Sequence, residues 1–416
     1  MSWRLECGLC ARPVARGLAT VCPDCGKPLL ARYDLGTLDG EALRRAWSGR
    51  QGGMWRFREI MPVESRPLLA RYDLGTLDGE ALRRAWSGRQ GGMWRFREIM
   101  PVESDEDPVT LGEGGTPLLE IDVGEEFEGL TLLVKDEGLN PTGSFKDRGL
   151  CAAVTRGVHE GATDFVIPSA GNAGAALAAY AAHAGVPCKL FIPEDTPEGV
   201  ARRCEHYGAN ITRVDGLIDE CGRLSAEYGA ETGAFNISTL KEPYRIEGKK
   251  TMMLEIVEAL GWRAPDAIVY PTGGGTGLIG SAKTLAELRE LGLIDGDTRL
   301  YAVQGTGCAP IVRAHAAGET YAEPWQDAST EAWGLRVPGA IGDFLMLEAI
   351  RASGGGGIAV SDEAMRAAAL DLGAAGVGAC IEGGATLAAA RELRRSGELR
   401  DGETVVLFNT AHLLTY

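Results

Sequence analysis

Three short loops hold most of the residues in this chain that could do chemistry. The first is Asn140-Pro141-Thr142-Gly143-Ser144-Phe145-Lys146-Asp147-Arg148-Gly149. Pro141 and Gly143 mark a turn, Ser144 is placed to cap a helix, and Asp147 three residues later has the spacing of a capping box. Lys146 would then sit in the first helical turn, where the positive end of the helix disfavours a cation. Burial would disfavour it further. A lysine amine kept neutral is a nucleophile that condenses with aldehydes. Alone, a Lys-Asp-Arg run at a turn reads as a solvated surface, so the neighbouring loops decide. The second loop is Ser169-Ala170-Gly171-Asn172-Ala173-Gly174. It opens an Ala-rich helix whose free N–H groups can hold a carboxylate or phosphate, and Asn172 adds a side-chain amide. An ordinary helix cap would look the same. The third is Pro271-Thr272-Gly273-Gly274-Gly275-Thr276-Gly277. Its glycines let the backbone fold tightly and aim several N–H groups at one phosphate. It has neither the Lys-Ser/Thr ending of a nucleotide P-loop nor the setting of a dinucleotide fingerprint.

A reactive lysine, an anion-binding loop with an asparagine and a separate phosphate cradle point to one ligand carrying an aldehyde and a phosphate. Pyridoxal phosphate meets both requirements.

Such loops need elements that bring them together. Short β-branched runs at Phe165-Val166-Ile167, Lys189 to Ile192, Ala267 to Tyr270, Leu300 to Val303 and Val405 to Phe408 alternate with helical, Ala-rich stretches. That rhythm predicts an α/β protein with parallel sheets covered by helices. In open sheets of this kind ligands bind beyond the carboxyl ends of the strands, and two of the three loops come directly after predicted strands. The chain has 416 residues, 45% of them hydrophobic, which is enough for two domains or one large α/β unit. Its net charge of −16 argues against nucleic acid as a partner, because binding a phosphate backbone requires neutralising it with Lys and Arg. The opening MSWRLECGLC lacks a signal-like apolar run, and no stretch is long and apolar enough to span a membrane. A cytoplasmic location is therefore expected, where disulfides are rare.

Four of the ten cysteines, Cys7, Cys10, Cys22 and Cys25, form two C-x2-C knuckles. Paired knuckles at short spacing can surround one tetrahedral zinc ion in a closed structural site, the expectation for residues 1–27. A pair of redox dithiols, or chance, is the alternative. Cys151, Cys188, Cys204, Cys221, Cys308 and Cys380 show no metal spacing and are expected as buried thiols. Residues 28–65 then return letter for letter as 67–104, a perfect tandem copy of 38 residues. Two copies are too few for a solenoid. The doubling reads as an in-frame duplication, or an error in the sequence itself, with room for one copy on the core. The second, joined directly to residue 105 and the α/β region beyond it, is the one expected to dock.

The runs NPTGSFKDRG, SAGN and TGGGTG together resemble threonine synthase, a pyridoxal-phosphate enzyme of fold type II. GEGGTPL (112–118), YRIEGKKT (244–251), GLRVPGAIGDFL (334–345) and VVLFNT (405–410) resemble the same family, and the likeness runs from residue 105 onward. It implies two three-layer α/β domains with the cofactor in the cleft between them. Residues 105–137 and 241–416 would form the larger domain and 138–240 the smaller, after the zinc ribbon and the doubled segment. Lys146 would carry the cofactor and then shuttle protons. Asn172 would bond its 3-hydroxyl, Gly273, Gly274, Gly275, Thr276 and Gly277 its phosphate, and Thr410 its ring nitrogen. Ser169 and the amides near Gly171 would take the substrate carboxylate, and Arg245, with Ser238 and Lys241, the substrate phosphate. The implied reaction turns O-phospho-L-homoserine and water into L-threonine and phosphate, in a homodimer. Another fold type II lyase or synthase, such as a threonine dehydratase or cysteate synthase, is the nearest alternative, and an inactive interaction module a more distant one.

The chain departs from the family pattern in places. Its end, NTAHLLTY, has Ala411 and Leu413 where glycines are expected, and glycine would allow backbone angles or close approaches that Ala and Leu resist. Ala173 replaces a phosphate-binding threonine of some members. Trp333 stands where a small residue is expected, and would either reshape the pocket or pack outside it.

Overall fold

The computed structural model describes residues 3–7, 13–14 and 29–33 by their backbone, together with 72, 74–89, 91–216 and 218–415. Cys10, Cys22, Cys25 and the Cys7 side chain, the expected zinc ligands, lie outside the described residues. Strands β1 (Trp3–Cys7), β2 (Pro13–Val14) and β3 (Leu29–Tyr33) form an antiparallel sheet in the order β2-β1-β3. β3 is the start of the first copy and pairs with β1 from Trp3 opposite Tyr33 to Cys7 opposite Leu29.

The remainder of the first copy also lies outside the described residues, whereas most of the second is packed into the core. Helix α1 (Gly79–Ser87) is capped by Asp78, whose carboxylate accepts from the Glu80 and Ala81 N–H groups. Leu82 and Trp86, four residues apart, share its buried face. Trp86 has no exposed surface, stacks on Trp262 at 5.9 Å, meets Phe96 edge-on at 5.3 Å and donates its indole N–H to Glu98 Oε2 at 3.0 Å. Met93, Phe96 and Ile99 of the next short turn are also fully buried.

Two further sheets carry the rest. The larger has the order β12-β11-β10-β13-β5-β4 and is parallel except for β4. Its strands are β4 (Leu118–Glu120), β5 (Thr131–Asp136), β10 (Ala267–Pro271), β11 (Arg299–Gly305), β12 (Gly356–Val360) and β13 (Thr404–Asn409). The smaller is wholly parallel, β8-β7-β6-β9, from β6 (Phe165–Pro168), β7 (Cys188–Pro193), β8 (Asn210–Val214) and β9 (Phe235–Asn236). The chain leaves the larger sheet after β5, completes the smaller one, and returns at β10. Every expected strand run lies in one of these sheets. Their central strands are apolar on both faces, as sheets sandwiched by helices must be; all five residues of β10 are buried. The helices are α2 (Lys146–His159), α3 (Asn172–Ala184), α4 (Glu198–His206), α5 (Ile218–Thr232), α6 (Tyr244–Ala259), α7 (Thr276–Glu290), α8 (Pro310–Ala316), α9 (Asp343–Ala352), α10 (Asp362–Ala374) and α11 (Ile381–Arg395). No helix among the described residues is long and apolar enough to cross a membrane.

α2 and α6, which come after the two crossings between the sheets, pack on each other. The second copy docks on α6: Lys250 donates to the Ile99 carbonyl at 2.8 Å, and Arg95 pairs with Glu258. A buried ionic cluster fixes the start of α2. Arg148 has no exposed surface and lies between Glu137 at 2.6 Å and Glu255 at 2.7 Å, and Lys135 reaches the same Glu255 at 2.7 Å. The cations hold both carboxyl groups below their ordinary range against the opposing effect of burial. Removing one partner strands the others uncompensated. Arg148→Met is therefore expected to lower unfolding free energy by about 3–5 kcal/mol, read from urea-denaturation midpoints.

Candidate active site

Lys146 is the first residue of α2. The sequence suggested that Asp147 would close a capping box on Ser144, and the structure corrects this. Asp147 reaches five residues back instead, accepting from the Thr142 N–H at 2.6 Å and from its hydroxyl. Ser144 accepts from the Lys146 N–H at 3.3 Å. The turn is thus tied from inside the helix, and Phe145, with no capping side chain, is the boundary residue. Lys146 keeps part of its surface accessible, yet its surroundings are dense enough that desolvation, followed by the charge of Arg245, brings its pKa down to about 7. Its amine lies 4.0 Å from the centre of the Phe145 ring. The Lys249 amine lies 4.1 Å from the same ring and bonds the Phe145 carbonyl, with its pKa well below the lysine range because of burial and the charges of Lys146 and Arg245. The motif YRIEGKKT contains Lys249, but its spacing gave that residue no part in the site.

The glycine loop comes after β10 and opens α7, with Gly275 in the left-handed region at φ 82°. A side chain at Gly277 would come within 1.8 Å of the Tyr270 hydroxyl, so this close approach requires glycine. Arg245 is fully buried on α6 and donates to the Ile237 carbonyl at 2.9 Å and to Thr239 Oγ1 at 3.2 Å. The methyl of Thr239 in turn faces Gly274, so Thr239, which sequence reasoning missed, connects the guanidinium to the glycine cradle. The buried Nε of Arg245 has no partner among the described residues, an unmet donor of the kind an anion satisfies. Ser238 bonds Asn236, and Lys241 joins through its N–H to the Ser238 carbonyl at 3.1 Å.

In the second loop Ser169 is occupied locally: its hydroxyl oxygen accepts from the Gly174 N–H at 2.9 Å and the Gly171 N–H at 3.4 Å. It therefore caps α3, leaving nearby amides as the donors for a carboxylate. Asn172 is buried and linked to the chain end, its amide donating to Thr415 Oγ1 at 3.4 Å. Thr410 comes just after β13; its carbonyl accepts from the Phe145 N–H at 2.9 Å, and its hydroxyl lies 3.9 Å from Cys380 Sγ. Glu382, also missed, is buried at the start of α11. It accepts from the Gly334 N–H at 2.8 Å, and its charge acts on Lys146, opposing the fall in pKa. Cys380 and the five other cysteines without metal spacing are free and buried.

The altered tail carries none of the strain expected of it. No residue from Ala411 to Thr415 has a positive φ. Ala411 bridges Ser144 in antiparallel fashion, and the His412 N–H donates to the Gly143 carbonyl at 2.9 Å. The close approach is met from the opposite side, where a side chain at Gly143 would strike the Thr415 methyl at 2.7 Å. Trp333 is 38% exposed, with the Arg336 guanidinium 4.5 Å from its ring centre.

Lys146, with its lowered pKa, is near enough to Arg245 to feel its charge, and Arg245 reaches the glycine loop through Thr239. The chain belongs to the pyridoxal-phosphate dependent enzyme family, whose model matches residues 109–411. Among curated proteins it is similar to threonine synthase of Methanosarcina acetivorans, 35% identical over 74% of this chain and 77% of that one. It is also similar to threonine synthase of Methanocaldococcus jannaschii, 32% identical over 94% of this chain and 87% of that one. Among solved structures the fold matches maize serine racemase, with TM-score 0.62 and 24% identity over 72% of this chain and 88% of that one. It matches the processed form of threonine deaminase isoform 2 from Solanum lycopersicum with TM-score 0.62 and 20% identity, over 71% of this chain and 79% of that one.

Proposed function

We propose that the protein is a threonine synthase, converting O-phospho-L-homoserine and water to L-threonine and phosphate. What supports this most is the pairing of two groups suited to anions near Lys146, the glycine loop and the partly unsatisfied Arg245, which meet through Thr239. A substrate with its own phosphate needs the second site. The curated relatives at 32–35% identity support the same reading.

Pyridoxal phosphate, when bound, supplies the electron sink that makes the substrate's α-proton removable. Lys146 would hold it, the N–H groups of Gly273 to Gly277 would take its phosphate, Asn172 its 3-hydroxyl and Thr410 its ring nitrogen. Thr410 offers that nitrogen a neutral hydroxyl rather than a carboxylate. The amides around Gly171 bind the substrate carboxylate, and Arg245, with Ser238 and Lys241 nearby, binds the substrate phosphate through a fixed guanidinium suited to that geometry. The Lys146 amine removes the α-proton and then a β-proton as phosphate leaves Cγ, a proton is delivered to Cγ to make the methyl group, and the amine returns a proton to Cα after water has added at Cβ. A pKa near the working pH lets one amine both take and give protons. Residues 138–240 are proposed as the smaller domain against 105–137 and 241–416. The four N-terminal cysteines are proposed as a structural zinc set on their spacing, and a homodimer on the resemblance.

Phosphate release from O-phospho-L-homoserine, matched mole for mole by threonine, tests the assignment; ammonia and a keto acid from threonine would assign it to the dehydratases instead. The Lys146 ionisation gives a second expectation. Capture of pyridoxal phosphate by the cofactor-stripped protein should accelerate as pH rises through about 7 and then level off, because the neutral amine is the nucleophile. A lysine with its ordinary pKa would keep accelerating to about pH 10. Borohydride trapping across pH, with the label located at Lys146 by mass spectrometry, distinguishes the two.

A further inference from the structure

We infer that Arg203, on α4, is a positioning residue that fixes which end of the Asn172 amide faces the site. The inference rests on the reading of Asn172 as a cofactor contact. An asparagine amide has a donor end and an acceptor end of nearly the same shape, so packing alone does not choose between them. A guanidinium carries donors only. Arg203 Nη1 lies 3.1 Å from Asn172 Oδ1, which commits the oxygen to that side and leaves the N–H end free to turn inward.

The guanidinium is itself held in place. Nη1 also donates to the Thr415 carbonyl at 2.7 Å, and Nη2 to the Thr142 carbonyl at 2.8 Å. One side chain therefore joins the lysine loop, the Asn172 loop and the C-terminal tail. Thr415 completes the arrangement: its hydroxyl donates to the His412 carbonyl at 2.8 Å, so it meets Asn172 as an acceptor. The Asn172–Thr415 bond, at 3.4 Å, is near the limit for a hydrogen bond and would yield readily to a better-placed oxygen. The N–H end is thus the one left to meet a ligand's hydroxyl oxygen, which it would favour in its charged form. A flipped amide would present an acceptor and favour the protonated form.

The test compares Arg203→Met, Arg203→Lys and Asn172→Ala. Two quantities are read for each: the pyridoxal phosphate dissociation constant of the stripped protein, and the pH at which the visible absorption of the bound cofactor changes. Arg203→Met should weaken binding about tenfold, the order of one charge-assisted hydrogen bond, and move that transition to higher pH. Arg203→Lys, with a single donor for the same oxygen, should recover most of both. Wild-type affinity and an unmoved transition in Arg203→Met, alongside a clear loss in Asn172→Ala, would overturn the inference while leaving the role of Asn172 intact. Wild-type behaviour in Asn172→Ala as well would remove the underlying reading. A loss of affinity in Arg203→Met with no movement of the pH transition would reduce Arg203 to a structural tie and also overturn the inference.

Discussion

Lys146→Ala lowers threonine formation by about a thousandfold or more, the scale of losing a positioned acid–base group that is also the nucleophile. The measurement is turnover with saturating O-phospho-L-homoserine, beside borohydride labelling, which should vanish. Lys146→Arg should fail as completely, since a guanidinium stays charged and cannot serve as the nucleophile. The same alanine variant should not melt lower than the parent when both are free of cofactor. Lys146 has a folded pKa of about 7 against an ordinary 10.5, so between those values the folded protein binds fewer protons than the unfolded chain. The desolvated ammonium therefore opposes folding fully below about pH 7, and the penalty fades as pH rises toward 10.5. Removing the amine removes the penalty. A variant that loses activity and also melts well below the parent at pH 6 would show that Lys146 acts mainly in packing.

Trp86→Ala should give two different answers in two chains. In a chain shortened to one copy by deleting residues 27–65, it is expected to lower stability by about 3–5 kcal/mol, the range for emptying a large aromatic site. Trp86 is fully buried against Trp262 and Phe96 and bonds Glu98, so the site cannot collapse without exposing these partners. In the full chain the loss should shrink to about 1 kcal/mol, because Trp47 stands in an identical segment and the entropy of closing a different loop grows only slowly with length. The first copy already supplies strand β3 to the N-terminal sheet, so docking the segment around Trp47 in place of α1 would restore the order of a single-copy chain. Urea midpoints for Trp86→Ala in both backgrounds decide it. Equal losses would show that the copies do not exchange.

The parallel sheets were readable because buried strands between helices are written in continuous β-branched runs, as in Ala267 to Tyr270. The three loops were readable because their chemistry is local: a lysine after a turn, glycines after a strand, an asparagine opening a helix. What the sequence did not reveal is what lies between the loops. Glu382, Lys249 and Arg203 matter through contacts that span tens to hundreds of positions, and Thr239 through one to Gly274, 35 positions on; no spacing rule encodes them. Asp147 was misassigned for a related reason. A capping box counts three residues, but the loop curls far enough for Thr142, five back, to arrive first. The tail misled in the other direction. Glycine was expected on the strand end that approaches, and the fold places it at Gly143, on the surface being approached.

The two crossings of the chain between the sheets have a mechanical consequence. Lys146 opens α2 just beyond the outgoing crossing and Arg245 lies in the first turn of α6 on the returning one, with α2 and α6 packed together. A rocking of one sheet against the other would turn about these two passages, and points near a pivot travel least. Lys146 and Arg245, both beside the packed pair α2 and α6, would keep their spacing through such a movement.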